Sequence, residues 1–276
     1  MRVSKYGVAL AALATGSMVL SGCSEKKDSS IADKDKLVIG VKYDQPSLGL
    51  KTANGVEGFD VDVANYIAKK MGKKVEIKEA KSANRESFLA NGTVDLVIAT
   101  YSITAARKPK VTFAGPYIIT HQDIMVRAND SSIKDLASLK GKKLCAVQGS
   151  NSWKNITEGT NKTNTKVAAE TVPAEGYDAC ITQLKGGTID AVSTDATILA
   201  GFVNREGSKL KVVNSPFTDE KYGVGLKKGD KKGCEEVNKA ITDMYKDGSA
   251  KTFWDKWFGK AGLPFETAQP PAEGCS

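Results

Sequence analysis

The sequence predicts an α/β fold built from two similar units, each a mainly parallel sheet flanked by helices. Two observations indicate this fold. Short apolar segments, typical of buried strands, alternate with segments of helical periodicity between residues 37 and 99. The same alternation starts again at residue 123 and runs to residue 227. Strands that alternate with helices form parallel sheets, so each stretch predicts one sheet covered by helices.

The first unit consists of three strands and two helices. Its longer helix, 59–71, has apolar residues at largely helical spacing and is followed by Gly72, a residue that commonly ends helices. The elements in order are strand 37–41, a polar loop at 42–58, helix 59–71, strand 74–78, helix 82–90 and strand 95–99.

The second unit repeats this order and leads into two C-terminal helices. The tail, 262–276, is rich in proline and is expected to be loose unless Cys275 fixes it. The predicted strands are 123–127, 143–147, 167–171, 191–193, 211–213 and 222–227, and the predicted helices are 133–139, 153–157, 177–185, 198–204, 235–245 and 251–258.

The composition is that of an ordinary globular protein, with 41% apolar and 26% charged residues. The net charge is +8, but the lysines are spread along the chain without a dense basic run. A nucleic-acid partner is therefore not expected.

The first 22 residues have the pattern of a signal peptide. Arg2 and Lys5 precede an apolar run at 8–20 that is too short to span a bilayer comfortably. The run ends in Leu-Ser-Gly-Cys23, which resembles the bacterial lipoprotein signal. That resemblance implies cleavage before Cys23 and lipidation of its thiol, palmitate included. A plain secretory signal with an incidental cysteine is the alternative. Residues 23–36 are polar and suit a flexible tether to the outer face of the membrane.

Four cysteines remain in the mature chain, an even number that indicates disulfides outside the cytosol. They allow three pairings. The most local one would close two loops, and each closure would stabilise the fold by about 3–4 kcal/mol. Their wide spacing argues against a zinc site. The four are Cys145, Cys180, Cys234 and Cys275.

Polar residues at the ends of the predicted strands are candidates for a ligand site, because ligands bind there in parallel sheets. The loop from Thr100 to Arg107 offers hydroxyls and one guanidinium, which can hold a carboxylate bidentately. The turn 148–152 precedes a helix and suits an anion, or is an ordinary N-cap. Asp195 could pair with an ammonium, or could also be an N-cap.

Catalytic and metal sites are not expected. His121 is the only histidine, and no residues around it resemble a catalytic triad. No phosphate-binding loop, zinc-binding helix or paired-carboxylate motif is present in the sequence. The sequence therefore predicts no enzyme activity, no cofactor and no metal.

Three motifs together resemble the polar amino-acid-binding proteins of bacterial ABC importers, solute-binding protein family 3. They are Gly58-Phe-Asp-Val-Asp, Thr100-Tyr-Ser-Ile-Thr-Ala-Ala-Arg107 with Phe113-Ala-Gly-Pro-Tyr117, and Asp190-Ala-Val-Ser-Thr-Asp195. The chain is most similar to the glutamate-binding lipoproteins of high-G+C Gram-positive bacteria. The resemblance implies the type II periplasmic-binding-protein fold, with two lobes, two crossover strands as a hinge and a ligand in the cleft. It also implies the disulfides Cys145–Cys180 and Cys234–Cys275.

The domain boundaries follow from the same resemblance, with crossovers near 119–124 and 213–222. The implied domains are the signal peptide 1–22, the tether 23–36, lobe one at 37–121 and 216–276, and lobe two at 122–215.

The resemblance also implies roles for individual residues. Arg107 and Ser102 would hold the ligand α-carboxylate, while Thr100 and Asp195 would hold its α-ammonium. Ser150 and Asn151 would close over the carboxylate from lobe two, although Asn151 replaces the more usual threonine. The complete expected ligand-binding set is Lys42, Gln45, Ser82, Arg85, Thr100, Tyr101, Ser102, Arg107, Gly149, Ser150, Asn151 and Asp195.

Two of these residues indicate an acidic ligand. Relatives that bind cationic amino acids carry an acid at the position of Lys42, and the segment Ser82-Ala-Asn-Arg85 resembles the one used for a distal carboxylate. We therefore expect an L-glutamate-binding component, a monomer that delivers its ligand to an ABC permease and ATPase. Aspartate or glutamine binding, or a sensory or enzymatic role on the same fold, are the alternatives.

Overall fold

A computed structural model describes residues 30–276. The predicted signal peptide, the lipidation site at Cys23 and the first half of the tether lie outside the described residues. Thirteen strands and seven α-helices are formed within 30–276. The strands are β1 (Lys36–Val41), β2 (Asp44–Gln45), β3 (Gly49–Thr52), β4 (Gly55–Glu57), β5 (Lys74–Glu79), β6 (Leu96–Val97), β7 (Val111–Thr120), β8 (Gln122–Arg127), β9 (Lys143–Val147), β10 (Glu170–Ala174), β11 (Val192–Asp195), β12 (Leu210–Val212) and β13 (Glu220–Lys227). The helices are α1 (Phe59–Lys70), α2 (Arg85–Ala90), α3 (Ser152–Thr157), α4 (Tyr177–Lys185), α5 (Ala196–Glu206), α6 (Lys231–Lys246) and α7 (Ser249–Phe258).

Two sheets with the same strand plan form the two lobes. The first has the order β5-β1-β6-β13-β7, with β13 antiparallel to both neighbours. In the second, β9 pairs with β10 in parallel and β8 lies antiparallel between β11 and β12. A parallel bridge between Leu144 and Ala191 joins these two parts. Each sheet is thus mainly parallel with one antiparallel strand, which confirms the predicted fold class.

The chain passes between the lobes twice. Strand β7 runs into β8 with only His121 between them, and residues 213–219 connect β12 with β13. Thr120 and Glu220 face each other where β7 and β13 meet this crossing. The domain boundaries at 121/122 and 215/216 stay predictions.

The C-terminal helices complete the first lobe. Phe59 of α1 contacts the rings of Tyr117, Trp254 and Phe258, so α7 covers this part of the core. The tail is held by the Cys234–Cys275 disulfide and by a hydrogen bond from the Glu273 N–H to the Gly115 oxygen. With Cys145–Cys180, this is the pairing that the resemblance implied.

Four predicted elements were wrong in part. Residues 133–136 are not helical, and only a short 3₁₀ turn forms at Ala137–Leu139. Here Asp135 accepts a bond from the Ser138 N–H at 2.9 Å, a local side-chain contact that competes with helix formation.

The strand predicted at 167–171 lies at Glu170–Ala174, on a sheet edge that tolerates Pro173. The polar loop 42–58 contains the hairpin strands β2, β3 and β4. The helix predicted at 82–90 is a 3₁₀ turn followed by α2.

Residues 30–276 contain neither a membrane-spanning helix nor a cluster of metal ligands. No helix in this range has the length and apolar character needed to cross a membrane. No cluster of three metal-ligating side chains occurs among the same residues.

Candidate functional site

The predicted ligand-binding residues come together where the two lobes meet. Ten of the twelve are buried, each less than a tenth exposed, while Gly149 is exposed and Asn151 is half-buried. Lobe one contributes residues from the carboxyl ends of β1 and β6, and lobe two contributes the turn after β9 and the end of β11. Strand ends of parallel sheets meet at one edge, which explains this convergence.

The loop after β6 is held in an uncommon conformation. Thr100 has a left-handed backbone (φ +48°), which is unfavourable for a β-branched residue. Its N–H donates to Asp60 Oδ2 at 3.0 Å, and Asp60 Oδ1 accepts from the Tyr117 hydroxyl at 2.8 Å. Burial raises the pKa of Asp60 to about 7, against the effect of these two bonds. Asp60 therefore positions the loop, a role that the sequence motif containing it did not reveal.

Arg107 has free hydrogen-bond donors beside this loop. Its guanidinium donates to the Ser102 oxygen at 2.8 Å and, across the cleft, to the Gly149 oxygen at 3.3 Å. It also lies 4.8 Å from the centre of the Tyr101 ring. A guanidinium has five N–H donors, so these two bonds leave three that can hold a carboxylate.

Arg85 is almost fully occupied by the protein itself. It donates to the backbone oxygens of Ser82, Ala99 and Thr100 at 3.3, 3.0 and 3.0 Å, and to that of Gly149 at 3.1 Å. Four of its five N–H donors are thus used, and one remains. Burial lowers the pKa of Arg85 to about 10, and the charge of Arg107 adds to this effect.

Lys42 is a buried ammonium with one protein acceptor. Its Nζ donates to Ser82 Oγ at 2.6 Å, and the residue is only 4% exposed. Burial lowers the pKa of Lys42 well below its usual value, and the charge of Arg85 lowers it further. An ammonium has three donors, so two remain for an anion that would relieve this unfavourable burial.

Lobe two supplies a buried carboxylate. Asp195 Oδ2 accepts a hydrogen bond from the Tyr222 hydroxyl, whereas Oδ1 has no hydrogen-bond partner within residues 30–276. Burial raises the pKa of Asp195 to about 7, and the neighbouring Glu220 carboxylate contributes.

Glu220 itself was not predicted from the sequence. It is 5% exposed and accepts from Asn155 Nδ2 at 3.2 Å and Asn151 Nδ2 at 3.4 Å. The Asn151 side chain thus points toward Glu220, the first residue of β13. No sequence signal distinguishes Glu220 from a solvated glutamate.

Five buried polar atoms of residues at the cleft have no hydrogen-bond partner among the described residues. They are Gln45 Nε2, Tyr101 Oη, Ser150 Oγ, Trp153 Nε1 and Asp195 Oδ1. Gln45 Oε1, by contrast, accepts from Thr100 Oγ1 at 3.2 Å. A cavity of about 670 Å³ lies between the lobes. It is lined by Arg107 of lobe one and by Ser150 and Trp153 of lobe two. Free guanidinium donors opposite a buried carboxylate suit a ligand that carries an anionic and a cationic group.

The family comparison agrees with this arrangement. Residues 37–260 match the model of the bacterial extracellular solute-binding proteins, family 3. The chain belongs to that family. Its members work outside the cytoplasm, and this family-3 protein is accordingly an extracytoplasmic one.

Curated relatives and a solved structure narrow the class of solute. The glutamate-binding protein GluB of Corynebacterium glutamicum is 35% identical over 285 residues, covering 97% of this chain and 95% of the relative. The ABC transporter glutamine-binding protein GlnH of Bacillus subtilis is 38% identical over 240 residues, covering 84% and 85%. An ancestral arginine-binding protein bound to arginine superposes with a TM-score of 0.75 at 35% identity, covering 82% and 99%.

These relatives bind amino acids, and the family-3 chain is an amino-acid-binding protein of an ABC transporter rather than an enzyme. The ligands named for these relatives differ in charge, from glutamate through glutamine to arginine. Membership of family 3 therefore indicates an amino-acid ligand and leaves the side-chain specificity to the individual site.

Proposed function

We propose that this protein binds L-glutamate between its lobes and delivers it to an ABC permease. The observation that carries the proposal is the burial of Lys42, a cation that donates to Ser82 Oγ and keeps two unused donors. A ligand with a distal carboxylate would supply the opposite charge that this ammonium lacks. An arginine or lysine side chain would meet like charge in a desolvated place, at a cost of several kcal/mol.

We assign residues from both lobes to the amino-acid headgroup, which consists of the α-carboxylate and the α-ammonium. Arg107, with Ser102 and Ser150, would hold the α-carboxylate through its three remaining N–H donors. Asp195 would accept the α-ammonium through Oδ1, with Thr100 beside it. From the sequence, both Lys42 and Arg85 were expected to contact the distal carboxylate. We now assign it to Lys42, because Arg85 uses four N–H donors on backbone oxygens.

We further propose that the protein works as a monomer attached to the membrane. The lipoprotein-like signal ending at Cys23 supports a lipid anchor on the outer face of the cell membrane. Residues 23–36 would give the domain room to meet the permease and its ATPase subunits.

Calorimetric titration of the unfolded and refolded protein with all twenty amino acids tests the ligand assignment. Refolding removes any ligand carried over from expression. Glutamate should bind most tightly, and glutamine and aspartate should bind measurably more weakly. A protein that bound glutamine or arginine more tightly than glutamate would refute the role given to Lys42. Mass spectrometry of the membrane-bound protein would test acylation of Cys23.

A further inference from the structure

Three glycines of lobe two lie directly against lobe one. A Cβ added to Gly201 would lie 2.0 Å from the Pro46 oxygen, and one added to Gly176 would lie 2.2 Å from Asp44 Oδ2. A Cβ on Gly149 would lie 2.5 Å from Ala83 N and Cα. Real side chains do not approach this closely. We call these three approaches the closure contacts.

Gly201 is the most informative of the three, because it lies inside helix α5 (Ala196–Glu206). A glycine in a helix interior is unfavourable relative to alanine, so local structure gives no reason for it. The reason lies across the cleft, where a backbone oxygen in the hairpin of lobe one occupies the space of a side chain. A backbone oxygen cannot rotate away as a flexible side chain can.

Gly176 makes a second close approach and adds a hydrogen bond. It precedes α4, and the Tyr177 N–H donates to Asp44 Oδ2 at 3.0 Å, which joins the lobes at the start of this helix. Gly176 has an extended backbone (φ −159°) that alanine adopts equally well. Its lack of a side chain is therefore explained by the approach of Asp44.

We propose that Gly201 and Gly176 determine how far the cleft closes and are therefore positioning residues for ligand affinity. The contacts of Arg85 and Arg107 with the Gly149 oxygen form only when the lobes are this close. A methyl group at Gly201 would hold lobe two away from lobe one and leave the amino acid bound mainly by lobe-one residues. The inference rests on the amino-acid-binding function and not on the choice of glutamate.

The first test compares Gly201→Ala with wild type and with Gly259→Ala. Gly259 has a helical backbone (φ −56°, ψ −37°), and an added Cβ there meets no atom within 4 Å, so it is a matched control. Gly201→Ala should weaken ligand binding by about tenfold or more, because the closed state becomes rare. The melting temperature of the ligand-free variant should stay the same or rise by about 2–4 °C, since alanine favours helix.

Two measurements separate closure from a general loss of structure. Calorimetry with L-glutamate and with L-glutamine gives the dissociation constants, and small-angle X-ray scattering gives the ligand-induced decrease in radius of gyration. Gly201→Ala should show a smaller decrease than wild type, and Gly259→Ala the same decrease. Wild-type affinity and wild-type compaction in Gly201→Ala would overturn the proposal. If wild type prefers glutamine, the glutamate assignment fails, and the same comparison is made with glutamine.

A second variant keeps the proposal testable if Gly201→Ala folds poorly. Gly176→Ala should weaken binding less than Gly201→Ala, because the Asp44 side chain can move. In an Asp44→Ala background, Gly176→Ala should cause no further loss, since the atom it would meet is gone. Equal losses from Gly176→Ala in both backgrounds would contradict a closure contact at this position.

Discussion

Arg85 donates a hydrogen bond to the backbone oxygen of Gly149 at 3.1 Å, and thereby joins lobe one to the turn 148–152 of lobe two. Its other bonds go to backbone oxygens of lobe one. Arg85 thus contacts main chain on both sides of the cleft. This geometry fits a residue that positions the site more than one that selects the ligand side chain.

Replacing Arg85 should therefore affect ligands regardless of their charge. We expect Arg85→Met to weaken glutamate and glutamine binding by similar factors, about tenfold or more, because the link to Gly149 is lost. The unfolding free energy should fall by about 2 kcal/mol or more, since buried backbone oxygens lose their donors. Parallel titrations and urea unfolding measure both effects. Lys110→Met is the control, because Lys110 lines the cavity but, among the described residues, forms its ion pair with the half-buried Glu86. A loss confined to glutamate would instead give Arg85 the distal-carboxylate role.

Lys42 should show the opposite behaviour. We expect Lys42→Met to weaken glutamate binding by about tenfold or more relative to glutamine, because a hydrogen bond to a charged group contributes about 1.5–3 kcal/mol. Stability without ligand should not fall, since the variant removes a buried ammonium whose only acceptor is a hydroxyl. Calorimetry with both ligands makes the comparison, with Lys51→Met, an exposed lysine of the same 42–58 segment, as control. Equal losses for the two ligands would refute a role for Lys42 in specificity.

The convergence of the residues proposed to hold the amino-acid headgroup was predictable, because their positions depend on local pattern. Arg107, Ser150 and Asp195 each follow an apolar strand, and strand ends converge in a parallel sheet. Asp60 and Glu220 were not predictable as site residues. Asp60 is also an ordinary acidic residue in a first helical turn, and the burial of Glu220 depends on strands that cross between lobes.

Two other features show how far local sequence signals extend. The helix predicted at 133–139 failed because neighbouring Asp and Ser side chains bond to the backbone, a signal present in the sequence. Gly201, within an apolar helical pattern, also carried a signal, since glycine is unfavourable there. What it contacts could not be predicted, because Pro46 is distant in sequence and belongs to the other lobe.

The buried carboxyls should make the stability of the ligand-free protein depend on pH. Burial raises the pKa values of Asp60 and Asp195 from 3.8 to about 7. Between pH 4 and pH 7 the folded state therefore binds more protons than the unfolded chain. The unfolding free energy should fall as pH rises through this window, by up to about 1.4 kcal/mol per pH unit for each carboxyl. Urea unfolding at pH 4.5, 5.5, 6.5 and 7.5 measures the slope.

A matched pair of variants tests how much of this pH dependence of the unfolding free energy comes from Asp195. Asp195→Asn should reduce it by about half, because Asp60 still titrates, whereas Glu57→Gln, which changes an exposed carboxylate, should leave it as in wild type. Glutamine affinity should increase over the same pH range, because a ligand ammonium favours the ionised form of Asp195. A slope unchanged by Asp195→Asn would show that this carboxyl is ionised throughout the range.

The two disulfides should differ in their effect on binding, although both stabilise the fold. Cys145–Cys180 closes 35 residues and joins β9 to α4, and Cys145 lies three residues before the turn 148–152. Cys234–Cys275 closes 41 residues and holds the C-terminal tail against lobe one. Each double replacement by alanine should lower the unfolding free energy by about 3–4 kcal/mol, because the unfolded chain gains freedom. Only Cys145→Ala/Cys180→Ala should also weaken ligand binding, since the turn loses its support.

Urea unfolding and calorimetry at a temperature where both variants are folded make the comparison. Equal binding losses would mean that the tail also supports the site, and a Cys145–Cys234 link in a non-reduced peptide map would exclude the pairing itself.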